Sequence, residues 1–114
     1  MAVIDLGELL TLLSQDLALS DSDLLGALEV DARTLDRWRN NETYPQRDAR
    51  MRLDRLHKFD LQLRETFSDE EAMRAWMTTD NRYLGLLQPR EVARAGRLDR
   101  LEAALEALNS GAFV

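Results

Sequence analysis

Residues 24–39 decide the fold of this chain, and they read Leu24-Leu25-Gly26-Ala27-Leu28-Glu29-Val30-Asp31-Ala32-Arg33-Thr34-Leu35-Asp36-Arg37-Trp38-Arg39. Apolar residues recur at helical spacing on both sides of a short polar break. The small core of this unit would consist of Leu25, Leu28, Val30, Leu35 and Trp38. The pattern predicts two short helices joined by a tight turn, which is a helix-turn-helix. Glu29 stands where many such turns carry glycine, so a left-handed backbone there would be mildly strained.

Outward from this motif, the leucine periodicity predicts helices along the rest of the chain. One helix is expected behind Asp5, at about 6–17, and a long one is expected after Pro45, at about 46–67. Shorter helices are expected after the capping sequence Ser68-Asp69-Glu70-Glu71, at about 69–78, 82–86, 89–96 and 97–109. The sequence therefore predicts an all-α fold. A helix-turn-helix domain with a long connecting helix would span 1–67, and a small C-terminal helical domain would span 68–114.

The long helix has two apolar faces of unequal size. Its main stripe comprises Ala49, Leu53, Leu56, Leu63 and Phe67, with Phe59 at the edge. Met51 and Leu61 lie off this stripe, where they would serve either a partner or another layer of the core. In the helix at 69–78, the buried residues are expected to be Ala72, Ala75 and Trp76.

The composition excludes several classes of protein. There is no cysteine and one histidine, His57, so neither thiolate chemistry nor a zinc site is expected. No nucleophile stands beside a base, and no glycine-rich phosphate loop is present, so we expect no catalysis, no cofactor and no metal. Residues 1–10 carry no positive charge ahead of their apolar residues, so we expect no secretory signal. No apolar run reaches about 18 residues, so we expect no membrane span and a cytoplasmic protein.

The net charge of −6 hides an uneven distribution. Residues 1–32 carry seven acidic and no basic residues, whereas residues 33–58 carry eight basic against four acidic ones. A basic island of this kind fits nucleic acid, although arginines on solvated helix faces would give the same pattern. On the recognition helix of the motif, the residues predicted to bind DNA are Ala32, Arg33, Thr34, Asp36, Arg37 and Arg39. The acid-rich front favours the alternative of a degenerate motif kept as a scaffold.

The second half carries a sharper pattern. It contains Phe67-Ser68-Asp69-Glu70-Glu71-Ala72, Ala75-Trp76-Met77, Asn81-Arg82-Tyr83-Leu84-Gly85, Pro89, Gly96 and the terminal Gly111-Ala112-Phe113-Val114. This succession resembles the toxin-binding domain of the Xre/MbcA/ParS antitoxins, and Trp38 followed by Tyr44-Pro45-Gln46 is similar to the MbcA branch. The sequence departs from the family at Leu86, where a second glycine often stands.

The resemblance implies a partner and a mode of action. Members of this family neutralise a RES-domain toxin, an enzyme that consumes NAD or transfers ADP-ribose, by placing their C-terminal end at its active site. Many also bind operator DNA. Carried onto this chain, the expected toxin-binding residues are Arg82, Tyr83, Asn109, Ser110, Gly111, Ala112, Phe113 and Val114. Phe113 would anchor the end in the toxin, or alternatively fold back on its own domain.

Three interpretations of function stay open at this point. The chain would be an antitoxin that also represses its own transcription, a stand-alone DNA-binding regulator without a toxin, or a protein-interaction module with a vestigial motif. A homodimer, with Met51 and Leu61 as one candidate contact, suits a reader of DNA half-sites. Monomers that assemble only around the toxin would also fit.

Overall fold

The computed structural model describes residues 4–111. The helices are α1 (Leu6–Asp16), α2 (Asp21–Leu28), α3 (Ala32–Arg39), α4 (Arg47–Thr66), α5 (Glu70–Met77), a 3₁₀ turn (Arg82–Leu84), α6 (Pro89–Arg94) and α7 (Leu98–Ser110). This confirms the all-α prediction, and each expected helix is found within a few residues of its predicted bounds. No helix in this part of the chain is long and apolar enough to cross a membrane.

Short polar side chains begin several of these helices. Asp5, Ser20 and Asp31 each accept a hydrogen bond from the backbone N–H three residues ahead, as their positions in the sequence predict. The expected capping box at Ser68 is wrong, because Asp69 caps α5 through the amide of Ala72, at 2.7 Å. At each of these helix starts, a side chain close in the sequence thereby satisfies one of the free backbone donors.

The two predicted domains share one hydrophobic core. Its buried members include Leu10 and Leu28 from the first half and Met73, Leu84 and Leu101 from the second. Helix α4 provides Leu53, Leu56, Phe59 and Leu63 to this core. The boundary between residues 67 and 68 stays a prediction, but it divides the sequence at a point where the packing is continuous.

Helices α2 and α6 form the tightest contact between the halves. A Cβ placed on Gly26 would lie 1.7 Å from the carbonyl oxygen of Arg94, so only glycine allows the two backbones to approach this closely. Beside it, the carboxylate of Asp23 is buried and lies 3.8 Å from a guanidinium nitrogen of Arg90 and 3.6 Å from one of Arg94. The first half is therefore fixed against the second by both shape and charge.

Helix α5 buries different residues from those expected. Met73 and Met77 are in the core, whereas Ala75 is exposed and Trp76 is half-buried. Trp76 packs against the rings of Phe59 and Phe67, with ring centres 6.2 and 6.5 Å away. The prediction of Ala75 as a core residue was wrong because an eight-residue helix allows more than one apolar stripe, and long methionine side chains fill the space better than alanine.

Candidate functional site

A groove opens at the C-terminal half, between the end of α5, the 3₁₀ turn and α7. It encloses about 300 Å³. Its lining comprises Trp76, Thr79, Asp80, Asn81, Arg82, Tyr83, Ala104, Ala107 and Leu108. The indole of Trp76 and the small side chains of α7 give the floor an apolar character, while Asp80 and Arg82 add charge. The structure therefore brings the predicted residues Arg82 and Tyr83 against the last helix of the described chain.

The loop at residues 81–87 shapes one wall of this groove. The side-chain oxygen of Asn81 accepts from the amide of Tyr83 at 2.9 Å, and its backbone N–H donates to the carbonyl of Leu87 at 3.0 Å. Gly85 and Leu86 both have left-handed backbones, with φ of 68° and 72°. Leu86 thus adopts a backbone conformation that favours glycine, so the loop carries a leucine in a strained position.

Apolar side chains crowd the surface around the groove. The exposed fractions are 63% for Leu86, 43% for Leu87, 38% for Tyr83 and 36% for Leu108. Tyr83 and Leu108 line the groove, whereas Leu86 and Leu87 lie on the loop that forms its wall. Exposed apolar surface of this kind is typical of an interaction site. Sequence reasoning missed Leu86 and Leu87 because their exposure depends on two consecutive left-handed residues, which no periodic pattern indicates.

The structure separates the other predicted toxin-binding residues. Asn109 is exposed and lies on the far side of α7, where its side-chain oxygen accepts from the hydroxyl of Thr66 at 3.0 Å. The hydroxyl of Ser110 donates to the carbonyl of Ala107 at 3.2 Å, and Gly111 ends α7 with a left-handed backbone. The remaining three, Ala112, Phe113 and Val114, lie outside the described residues.

The predicted DNA-binding helix, α3, presents a mixed face. Ala32, Arg33, Asp36 and Arg37 are exposed, and Thr34 is half-buried with its amide bound to Asp31. Arg39 makes two hydrogen bonds to Asp21, at 2.6 and 3.1 Å. This pair raises the pKa of Arg39 and lowers that of Asp21. The charge of the Arg39 guanidinium is therefore compensated by a carboxylate of the same chain. Arg33 and Arg37 are the cations that α3 leaves available.

The turn before α3 is held by an arginine from α4. Glu29 has a left-handed backbone with φ of 56°, and its carboxylate lies 3.7 Å from the guanidinium of Arg52. The same guanidinium donates to the carbonyl of Ala27 at 2.8 Å and to that of Gly96 at 2.5 Å. Arg52 therefore joins the helix-turn-helix to the loop between α6 and α7. It is a structural member of the basic island, which composition alone did not indicate.

The basic island is partly neutralised within the chain. Arg39, Arg52 and Arg55 are paired with Asp21, Glu29 and Glu102, respectively. The residues of the island that form no ion pair with any of residues 4–111 are Arg33, Arg37, Arg47, Arg50 and Lys58. The positive charge available at the surface is therefore smaller than the eight basic residues of the sequence suggest.

Comparison with known proteins agrees with this architecture. Residues 62–111, which include the groove, match the family model of the antitoxin Xre/MbcA/ParS C-terminal toxin-binding domain. The chain is 29% identical to the mycobacterial cidal antitoxin MbcA of Mycobacterium tuberculosis and of Mycobacterium bovis, over 86% of this chain and 86% of each relative. A chain in the crystal structure of the M. tuberculosis MbcT–MbcA toxin–antitoxin complex superposes with a TM-score of 0.66 and 26% identity, over 98% of this chain and 100% of that chain. The C-terminal part of the chain thus matches the toxin-binding domain of the Xre/MbcA/ParS antitoxins, and the chain as a whole is similar to MbcA in sequence and fold.

Proposed function

We propose that this chain is an antitoxin that binds and neutralises a RES-domain toxin, an enzyme that consumes NAD or transfers ADP-ribose. Its C-terminal end would be placed at the toxin's active site, and α3 would bind operator DNA so that the protein represses its own transcription. In this proposal the chain does no chemistry itself and needs no cofactor. Its cytoplasmic location remains an expectation of the proposal.

One observation carries the toxin-binding part. Leu108 exposes apolar surface in a groove at the end of α7, and Leu86 and Leu87 expose theirs on the loop that forms a wall of this groove. The groove lies inside the stretch that matches the toxin-binding domain. An exposed apolar cluster beside the chain terminus can bury itself against a partner and direct the last residues into it. The polar groups of Arg82 and Asn81 at the same groove would fix the orientation.

The first experiment co-expresses the chain with a RES-domain toxin, and measures toxicity rescue and binding. A chain ending at Gly111 keeps α7 intact but lacks the last three residues. We expect it to bind the toxin and to fail in rescue, because the active site would stay open. Phe113→Ala should reproduce this loss in part, since it removes only the aromatic anchor.

A second variant tests the groove separately from the tail. Leu108→Glu places a charge in the apolar surface, and we expect toxin affinity to fall about 30-fold, which is on the order of 2 kcal/mol. The matched control is Tyr44→Glu, because Tyr44 is 65% exposed and lies in the loop between α3 and α4. Equal losses from both variants would show that the groove is not the binding surface.

The stand-alone DNA-binding regulator is the second candidate, and it is favoured by Arg33 and Arg37 on α3, which form no ion pair with residues 4–111. If the full chain binds no RES-domain protein, the antitoxin proposal fails. In that case, binding to its own upstream DNA that weakens steeply with salt would support the regulator alone.

A further inference from the structure

Two buried carboxyl groups meet where the C-terminal end of α1 packs against α4. Asp16, the last residue of α1, is 2% exposed, and Asp60 of α4 is 0% exposed. Arg64, one turn further along α4, forms an ion pair with Asp16. Among residues 4–111, no N–H or hydroxyl group donates a hydrogen bond to either carboxyl oxygen of Asp60. A buried carboxylate without a partner is costly, so Asp60 needs a further one.

A proton shared between the two carboxyl groups provides this partner. Burial, followed by the hydrogen bond and the charge of Asp16, raises the pKa of Asp60 to about 7, against an opposite effect of Arg64. While Asp60 keeps its proton, its O–H can donate to the carboxylate of Asp16. The cluster then holds one negative and one positive charge. Loss of the proton leaves two carboxylates facing one guanidinium in the core, which is unfavourable.

The other helices that pack on α4 bring no cation that could compensate the second carboxylate. Glu70 of α5 lies 3.9 Å from a guanidinium nitrogen of Arg64, so it competes for the same cation. The last turn of α1 has no basic residue, and the carbonyl end of a helix carries partial negative charge. Towards α2 and α7, the ion pairs of α4 are Arg52 with Glu29 and Arg55 with Glu102.

The turn that follows Asp16 is the element beside the cluster that can yield. It connects α1 to α2 through residues 17–20, which we call the α1–α2 corner. Ala18 has a left-handed backbone there, with φ of 51°, which is strained for a residue with a side chain. Leu17 and Leu19 on either side are buried, and the hydroxyl of Ser14 donates to the carbonyl of Leu19 at 2.7 Å. The corner is therefore held closed by packing and local hydrogen bonds against backbone strain.

We propose that Asp16, Asp60 and Arg64 form a proton-controlled latch, which holds the α1–α2 corner closed while the proton is present and lets it open when the proton is lost. Opening admits water to the two carboxylates and thereby screens their repulsion. Helix α1 also packs against α3 and α5. The latch therefore controls the end of a helix that supports both the predicted DNA-binding helix and a wall of the groove, but it requires neither DNA nor a toxin.

The direction of the pH dependence follows from the proton. In the closed state Asp60 holds its proton up to about pH 7, whereas in the open state it would lose it near the ordinary value for aspartate, about 4. Opening therefore releases a proton in the interval between these values. Each unit of rising pH within it favours the open state about 10-fold. The latch is closed in acid and opens towards neutral and alkaline pH.

Amide hydrogen exchange of the full chain, followed by NMR at pH 5 and pH 7, measures this opening. The backbone N–H groups of Leu17 and Leu19 report on the corner, because they donate to the carbonyls of Leu13 and Ser14, each at 3.0 Å. Protection is corrected for the intrinsic effect of pH on exchange. We expect the protection of both amides to fall at least about 10-fold from pH 5 to pH 7.

A low concentration of urea distinguishes the local opening from global unfolding. A local opening exposes little surface, so exchange at Leu17 and Leu19 should respond weakly to urea. Leu101 and Leu105 lie in the core of α7. Their amides should exchange through global unfolding and respond strongly.

Three variants test the residues of the latch. Asp60→Asn should give equal protection of the corner at both pH values, because asparagine has no proton to lose and its amide can donate to Asp16. Asp16→Asn should move the pH dependence to lower pH, because Arg64 is then free to compensate Asp60 alone. His57→Gln is the matched control and should behave as the parent chain. His57 lies one turn before Asp60 on α4, and histidine is the side chain that ordinarily titrates near neutral pH.

Three outcomes would overturn the proposal. The first is equal protection of the corner at pH 5 and pH 7 in the parent chain. The second is a pH dependence that persists in Asp60→Asn or disappears in His57→Gln. The third is a response to urea at Leu17 as strong as that at Leu101, because the opening would then be global unfolding.

Discussion

The two candidate binding surfaces of this molecule differ in chemical character. The face of α3 is polar, lies on a regular helix, and offers two arginines, Arg33 and Arg37, that form no ion pair within the described part of the chain. The groove at the C-terminal half combines apolar side chains from α5 and α7 with a few polar ones, and it is shaped by a loop with two left-handed residues, Gly85 and Leu86. The first surface can attract a charged polymer over a distance, and the second can bury area against a protein.

The difference matters because both surfaces rest on one core. The α2–α6 contact at Gly26 and the Arg52 hydrogen bonds connect the helix-turn-helix to the C-terminal half. The two surfaces therefore differ in chemistry, but the stability of both depends on the same core. Substitutions can test the shared core and the chemistry of each surface separately.

The largest effect is expected from Gly26→Ala, which acts on the contact between the halves. The new methyl group would lie 1.7 Å from the Arg94 carbonyl oxygen, so α2 and α6 must move apart. We expect a loss of about 3 kcal/mol in the free energy of unfolding, at the upper end of the cost of overpacking. Chemical denaturation followed by circular dichroism measures it, and Ser22→Ala on the same helix should change little. If the halves were independent, the fluorescence of Trp38 and of Trp76 would report two separate transitions.

A smaller effect is expected from Asp60, a fully buried carboxyl group in α4 within the shared core. Burial and the neighbouring carboxylate of Asp16 raise the pKa of Asp60 to about 7, against a smaller opposite effect of Arg64. Between about pH 4 and pH 7 the folded chain keeps a proton that the unfolded chain has lost. The free energy of unfolding should therefore fall as the pH rises through this window and stay low above it.

Asp60→Asn removes this titration while keeping the shape of the side chain. We expect it to be more stable than the parent chain at pH 8, by about 2 kcal/mol, and close to it at pH 4.5. Asp48→Asn, at an exposed site in the first turn of α4, serves as the control. A gain that is equal at both pH values would exclude a raised pKa as its cause.

The sequence predicts regular elements of this molecule better than its irregular ones. Caps such as Asp5, Ser20 and Asp31, and the leucine stripes behind them, act within a few residues, so helix bounds follow from local chemistry. The exposure of Leu86 and the pairing of Arg52 depend on contacts between residues far apart in the chain. The Arg39–Asp21 pair is of the same kind, and it removes one predicted DNA contact from the available charge. The composition of a surface could be predicted, but not which of its charges remain free.

The next largest effect is a difference in DNA binding between two arginines of α3. Arg37 is exposed and unpaired among the described residues, whereas Arg39 is held by two hydrogen bonds to Asp21. If α3 binds DNA, Arg37→Ala should weaken binding about 5- to 10-fold. The slope of the logarithm of affinity against the logarithm of salt concentration should become shallower by about one, because about one fewer counterion is released. Arg39→Ala should weaken it less, because its charge is already compensated. Titration of labelled upstream DNA at several salt concentrations measures both. A larger loss from Arg39→Ala would mean that the Asp21 pair opens on binding, and toxin affinity should change in neither variant.

The smallest change in stability is expected from Leu86→Gly, and it would sharpen the comparison at the groove. Glycine adopts the left-handed backbone at φ of 72° without the strain of a side chain, and the lost leucine is 63% exposed. These effects, together with the greater flexibility of the unfolded chain, should leave the free energy of unfolding within about 1 kcal/mol of the parent value. Toxin affinity should nevertheless fall several-fold, because one of the exposed apolar groups is gone. Equal affinity would show that Leu86 only completes the turn. A loss of affinity at unchanged stability would show that the chain keeps a strained leucine there for its partner.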